Sequence, residues 1–392
     1  EDTSWGPARH SASRLLRELM VQKLPAIACR VMTWDIVQLL SNDPDPGPDQ
    51  CSEGDPLSVA INSIRGNVLQ AAIAYCHWVK AAGDWKGMDS VPEAVTLLEK
   101  HMDPALEPSV AVHSVYGYQM AWLLSLDDAW VAGNSGSIFP TAADLTAFRE
   151  AAWLTFLIHN QPHPGVLRIL NREFATAVSQ VGQPATGKRC SANHDQRLGE
   201  HLIAMFWQGG LALETGGLLR EFFSRASDEQ RAHVIASAGR SLVNSDTVQQ
   251  SCKDRFLELW QFRLEAAEAD PESHVAELAC FAWWFGTPHF AADRALSLIE
   301  RGLRLSPLMD PEYAFLERLA TLSEQHTTPC IRCLALWVDP QSDSGMLHYK
   351  RSEIRTVLVA ATSSTDSNSV RLAKEAIHRI AALGFLEFRD LL

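Results

Sequence analysis

Apolar residues recur along this chain in steps of three and four. Between Ala60 and Lys80 they fall at Ile61, Ile64, Val68, Ala71, Ala72, Tyr75 and Val79, with Asn62, Arg65, Asn67, Gln70 and His77 spread around the remainder. Residues three and four apart share a helix face, so this spacing predicts a helix with one apolar stripe. The same steps recur at Leu15, Leu16 and Leu19, at Phe148, Ala152 and Phe156, and at Phe256, Leu259, Trp260 and Leu264. No stretch alternates apolar and polar residues between turn signals; the nearest, Thr356 to Ala361, is short and lies in helical surroundings.

Punctuation supports the same reading. Asp270-Pro271-Glu272 and Asp310-Pro311-Glu312 each offer an Asp cap, a Pro at the first helical position and an acid for the helix dipole. Ser227-Asp228-Glu229-Gln230 has capping-box spacing. Breaks are predicted near 42–56, 83–91, 103–109, 133–141, 182–194, 244–246, 286–291, 305–310, 326–329 and 339–348, leaving intervals the length of helical hairpins. Hairpins need neighbours to bury their inner faces, so the expected fold is all-α, an α-solenoid-like array of antiparallel helical hairpins with degenerate repeats. The loop Asn42 to Pro56, with four prolines and five acids, is expected to be mobile. The polar loop at 182–195 is expected to divide an N-terminal half, 1–181, from a C-terminal half, 196–392.

Composition narrows the function classes. At 392 residues the chain needs two or three packed units or a repeat array. A hydrophobic fraction of 46% excludes a mostly disordered chain. The net charge of −13 speaks against nucleic-acid binding, and the basic residues Arg14, Arg17, Lys23, Arg30, Arg294, Arg301, Arg304 and Arg318 are dispersed among acids. No apolar run approaches the ~20 residues that span a bilayer. Eight cysteines are too sparse for a disulfide scaffold in a chain this long, which fits a reducing cytoplasm. The chain opens at Glu1 without a signal segment, and its end, Gly384 to Leu392, is apolar almost to the last residue; both read as the C-terminal part of a larger protein.

Motifs that carry chemistry all fall short. Gly182 to Arg189 approaches a phosphate-binding loop, but Arg189 stands where a magnesium-holding hydroxyl is needed. Cys330 and Cys333 form the one CxxC, with His326 upstream, as candidate metal ligands; no second pair completes a zinc set, and two cysteines three apart on a helix commonly share a buried face. His159 and His163 are separated by the helix breaker Pro162. Glu200-His201 lacks the first histidine of an inverted zinc motif, since position 197 is Arg197. Gly133 to Ser137 lacks the last glycine of a nucleophile elbow. No catalytic residue, metal or cofactor is therefore assigned. Of the twelve tryptophans, most fall on apolar stripes; Trp85, between glycines, and the adjacent Trp283 and Trp284, about 100° apart on a helix, are the candidate protein contacts.

Several stretches resemble a known group of proteins: Asp55-Pro56 through Asn62-Ser63-Ile64-Arg65-Gly66-Asn67-Val68-Leu69; Ser114-Val115-Tyr116-Gly117-Tyr118 with Trp122-Leu123; Phe139-Pro140; Glu200-His201-Leu202 with Phe206-Trp207; Gly239-Arg240-Ser241-Leu242; Trp283-Trp284-Phe285; and Gly384 to Leu392. Their order is similar to that of the HEAT-like or TPR-like helical C-terminal region of large bacterial multidomain anti-phage defence proteins, where it follows an effector of the STAND ATPase or sirtuin-like kind. The resemblance implies a cytoplasmic, non-catalytic sensor or scaffold whose protein partner is its own upstream effector portion or a phage protein, with any homo-oligomer formed through the parent protein. The competing expectation is a helical hydrolase or protease-associated enzyme whose site forms only in three dimensions, for instance His201 with Glu200 or Cys330 with His326.

Overall fold

The computed structural model describes residues 5–24, 26–50, 55–83, 85–183, 193–338 and 345–392, and among them every regular element is helical. The fold is all-α, an α-solenoid-like array of helical hairpins. Two compact units divide at Thr176/Ala177, inside the helix Pro164–Gln180, which bends at Leu170.

In the first unit two helices form the centre, Ile64–Ala82 and Val110–Tyr118. Gly6–Val21 and Arg30–Leu40 pack on the former, and Pro56–Ile61 and Thr146–His159 on the latter. Enclosure from several sides overrides the one-stripe expectation for Ile64–Ala82: its Asn67 and Gln70 are buried along with the apolar stripe. Asn67 survives burial because its amide donates to the Ile61 and Ser63 carbonyls and its oxygen accepts from Arg17 Nη1 at 2.9 Å. Close approach at the centre depends on glycine. A Cβ at Gly66 would stand 2.1 Å from the Ala60 carbonyl oxygen, and one at Gly117 would stand 1.8 Å from that of Ala152.

The described part of the acidic, proline-rich loop is tied down, contrary to expectation. The Arg65 guanidinium donates to the Asp43 and Pro46 carbonyls and, at 2.9 Å, to Glu107, while Asp45 accepts from the Ile64 amide at 2.8 Å and Asp43 pairs with Arg9 at 2.6 Å. A half-buried arginine can hold this much backbone because its planar group carries five donors. Residues 51–54 of the loop lie outside the described residues.

His113 is the buried titratable group of this unit with the clearest pH consequence. Its Nε2 bonds the Ile138 carbonyl at 2.8 Å, its Nδ1 has no partner, and Phe148 stands edge-on to the ring at 5.3 Å. Burial lowers its pKa from 6.5 to about 4, against smaller opposing effects of the Ile138 carbonyl and Glu107. A base harder to protonate when folded leaves stability complete above pH 6.5 and lost as pH falls from 6.5 toward 4. The expected loss is about 2 kcal/mol by pH 5, before most carboxylates titrate. Urea midpoints between pH 7 and 5 should show this slope in the wild type and a much flatter one in His113→Gln.

The second unit stacks two rows of helices. One row runs Asn193–Trp207, Asp228–Val243, Val275–Cys280 with Ala282–Phe285, Glu312–Leu322, Arg351–Thr362; the other runs Gln250–Ala269, Ala292–Leu305, Thr327–Trp337, Ser367–Ala382. Each helix contacts the next in its own row, the contact pattern of stacked hairpins. Trp260 stacks on Phe281 at 5.1 Å, and Trp284 buries its ring against both and donates its indole N–H to the Ile235 carbonyl at 2.8 Å.

Three helices are locked by one ion cluster. Arg263 reaches both Glu277 oxygens, at 2.5 and 3.0 Å, and Arg231 Nε reaches Oε2 at 2.8 Å. Arg231 also donates to the Ala226 and Ser273 carbonyls, and the Arg263 guanidinium lies 4.7 Å from the centre of the Phe223 ring. Asp228 caps the same corner, accepting the amides of Ala276 and Glu277.

Helix starts follow the sequence unevenly. The Ser227–Gln230 capping box forms as expected. Pro271 opens a short 3-10 turn, Pro271–His274, but Asp270 does not cap it. At Asp310-Pro311 the helix begins one residue later, at Glu312, with Pro311 rather than Asp310 at the cap. The predicted break at 133–141 is helical through Ile138, because Gly133 and Gly136 face open space while Val131 and Ile138 are buried. The C-terminus docks through Phe388, buried beside Arg355, which pairs with Asp390 at 2.8 Å. No helix among the described residues is long and apolar enough to cross a membrane.

Candidate functional site

The residues that looked chemical in the sequence are drawn into packing. Cys330 and Cys333 are fully buried in Thr327–Trp337; burial pushes the Cys330 thiol up to about 12 and raises the Cys333 thiol well above its ordinary value, so both stay protonated at neutral pH. His326 turns instead to Asp293, at 2.9 Å. Glu200 pairs with His233 at 2.8 Å and Arg197 at 2.7 Å, while its neighbour His201 is buried. Burial raises the Glu200 carboxyl, but bonds from His233 and Arg197 outweigh it and hold the group below its ordinary range. Among the described residues no three His, Cys, Asp or Glu side chains gather as a metal site would require. Residues 184–189 of the near phosphate loop lie outside the described residues.

The tryptophan candidates separate as helix geometry demands. Trp284 is buried and Trp283, a helical step away, is half-buried against Gly239, with Tyr313 edge-on at 6.3 Å. Trp85 is half-buried and donates its N–H to the Leu126 carbonyl at 3.1 Å, so it is no free contact.

An apolar surface left uncovered among the described residues lies elsewhere, on Arg30–Leu40. Thr33, Val37 and Leu40 of this helix face the core, whereas Val31, Met32, Ile36 and Leu39 face out, with Val31 73% and Leu39 76% exposed. Leu24 and Ile27, just upstream, are exposed as well. The orientation is fixed from the inside. Arg30 donates to Tyr75, to the Ser90 carbonyl and to Glu93, at 2.9, 3.0 and 2.7 Å, and Trp34 packs on Tyr75 with ring centres 5.0 Å apart. Burial raises the Glu93 carboxyl, yet the bonds from Tyr75 and Arg30 prevail and keep it ionised. The outward face is therefore held outward by a satisfied polar anchor. Six large apolar side chains exposed on one short stretch exceed what a monomer surface scatters singly.

A cleft of about 670 Å³ opens in the same unit, lined by Arg17, Glu18 and Val21 of the first helix, Ile61, Gln70 and Ala74, and by residues 118, 119, 121, 122 and 159–161. Asn160 builds its back wall: its amide donates to the Gly117 and Phe156 carbonyls and its oxygen accepts from the Ala121 amide at 2.9 Å, bridging the interrupted helices Val110–Tyr118 and Met120–Leu126. A recess of about 460 Å³ in the second unit, lined by Arg220, Asp254, Glu258, Glu265 and Arg294, is more open and sets three acids against two arginines.

No protein-family model matches this chain, and no curated protein or solved structure is similar to it at a significant level. Neither the outward face nor the cleft was singled out from the sequence. The face had a signal: apolar residues at 31, 32, 36, 37, 39 and 40 go around Arg30–Leu40, more than one buried stripe requires. The cleft had none, since its side chains come from separate helices.

Proposed function

We propose that this chain is a non-catalytic helical scaffold that recognises a protein partner through the outward face of Arg30–Leu40. The observation that carries the reading is the rigidly held, exposed apolar set Val31, Met32, Ile36 and Leu39, continued by Leu24 and Ile27. Such a face costs solubility unless another surface covers it, and burying it would supply a hot-spot core of the usual apolar kind. The thiols held protonated by burial, the pairing of His326 with Asp293 and that of Glu200 with His233 and Arg197 support a non-catalytic role. The resemblance to HEAT-like or TPR-like regions of anti-phage defence proteins adds the context: a cytoplasmic module whose partner is an effector portion of its own parent protein or a phage protein.

The test is affinity purification of the tagged chain, with its natural upstream portion and separately without it, from phage-infected bacteria. One stoichiometric partner is expected, identified by mass spectrometry and reduced at least tenfold by Val31→Asp/Leu39→Asp. Both positions are solvent-facing, so the double variant should melt within a few degrees of the wild type. Equal recovery with the double variant would remove the face from the reading.

A further inference from the structure

We propose that the cleft of the first unit binds a small aromatic molecule carrying one anionic group. The proposal is independent of the partner-binding face. Its volume, about 670 Å³, lies within the range of small-molecule sites. The lining joins aromatic surface to polar groups that the protein leaves unmatched. Tyr118 and His159 meet edge-on at 5.3 Å, and Trp122 is held by His77 at 4.6 Å, so the aromatic lining is set in place before any ligand arrives. Trp122 remains 42% exposed at the mouth, beside the apolar Val21 and Ile61.

Arg17 supplies the charge. Four other arginines of this unit face carboxylates: Arg9 faces Asp43, Arg30 faces Glu93, Arg65 faces Glu107 and Arg168 faces Asp128. Arg17 bonds a neutral amide oxygen, that of Asn67, through one nitrogen, and its remaining donors are available to a carboxylate or phosphate. Gln70 uses its N–H on the Gly66 carbonyl at 3.2 Å, which leaves its carbonyl oxygen as an acceptor for a ring N–H or amino group. Glu18 limits the charge. It lies beside Arg17 in the lining, accepting from Gln22 at 3.0 Å, and its carboxylate would repel a second anionic group. One anion, one planar ring and a donor on that ring match the whole set.

Two sources offer this chemistry, a nucleoside monophosphate and an aromatic carboxylate. Isothermal titration of the full chain with AMP and with indole-3-acetate separates them, with adenosine and indole-3-acetamide as their uncharged counterparts. At least one anion should bind saturably with one site per chain, and its uncharged counterpart at least tenfold more weakly. Arg17→Gln should erase that difference, and Trp122→Ala, at a partly exposed position, should weaken the charged and uncharged forms alike by tenfold or more. Binding of AMP alone assigns the phosphate source and binding of indole-3-acetate alone the carboxylate source. Absence of saturable binding by both anions, or binding unchanged in both variants, overturns the proposal. Neither failure bears on partner recovery by Val31→Asp/Leu39→Asp, so the two readings fail separately.

Discussion

Replacing Glu277 by Ala is expected to cost about 3–5 kcal/mol, the range for breaking a buried ion cluster from one side. The glutamate is all but inaccessible, with side-chain exposure of 1%, and its two arginines have 4% and 9%. Removing the carboxylate leaves Arg263 with no counterion and with Phe223 and Phe262 beside it, 4.7 and 5.3 Å from the ring centres. Arg231 is better supplied, keeping the Ala226 and Ser273 carbonyls and Asp228 at 3.6 Å. The penalty should therefore fall mostly on the Arg263 side. Glu277→Leu/Arg263→Met, which removes charge and counterion together, should be less destabilised than Glu277→Ala alone. Urea unfolding measures both, and hydrogen exchange should place the loss in Asp228–Val243, Gln250–Ala269 and Val275–Cys280. Equal stability of wild type and Glu277→Ala would show that the cluster does not hold this corner.

Gly117→Ala should destabilise by about 3 kcal/mol or more, the upper end of what overpacking costs. Alanine is the better helix former, so on propensity alone the change would stabilise a helix by nearly 1 kcal/mol. Packing reverses the sign. The new methyl would meet the Ala152 carbonyl oxygen at 1.8 Å and Thr155 Oγ1 at 2.5 Å. Backbone on the facing helix cannot rotate away as a flexible side chain can. Thr155 is itself committed, donating to the Ser114 carbonyl at 2.8 Å, so separation of the helices would also break a buried bond. Gly133→Ala is the control: nothing lies within 4 Å of its added Cβ, and helix propensity alone should leave it neutral or slightly more stable. Thermal melts of the two variants should move in opposite directions.

These glycines show how much of the fold the sequence made legible. Periodicity identified helices, and the Ser227 capping box placed one start correctly, because both are local effects that neighbouring residues decide. Gly66, Gly117 and Gly239 belong to stretches quoted for the resemblance, and the structure gives them a packing reason: a Cβ at Gly239 would meet the Trp283 side chain at 2.3 Å. The glycines at 133 and 136 carry the same letter in the sequence but no such contact, and they misled the reading into a break where the chain is helical. Only the neighbour across the helix interface distinguishes the two kinds. Asp310 lies one residue outside the cap position, which Pro311 occupies, and its amide is engaged by the distant Ala279 carbonyl at 2.9 Å. Long-range polar partners were likewise invisible. Arg231, Arg263 and Glu277 are ordinary solvated charges in sequence, as is Arg65, yet each is placed by tertiary contacts. The cleft is illegible for the same reason, since Arg17, Gln70, Trp122 and His159 become neighbours only when their helices pack.

The outward face of Arg30–Leu40 is proposed to be covered by a protein when the chain works. Photocrosslinking in the living cell tests it, with a benzophenone amino acid placed at Leu39 and, in a second strain, at Val359 of the other unit, an exposed apolar position outside the face. One discrete heavier band is expected from position 39, containing the same partner that Val31→Asp/Leu39→Asp fails to recover, and no such band from position 359. No adduct from position 39, or the same adducts from both positions, would contradict it.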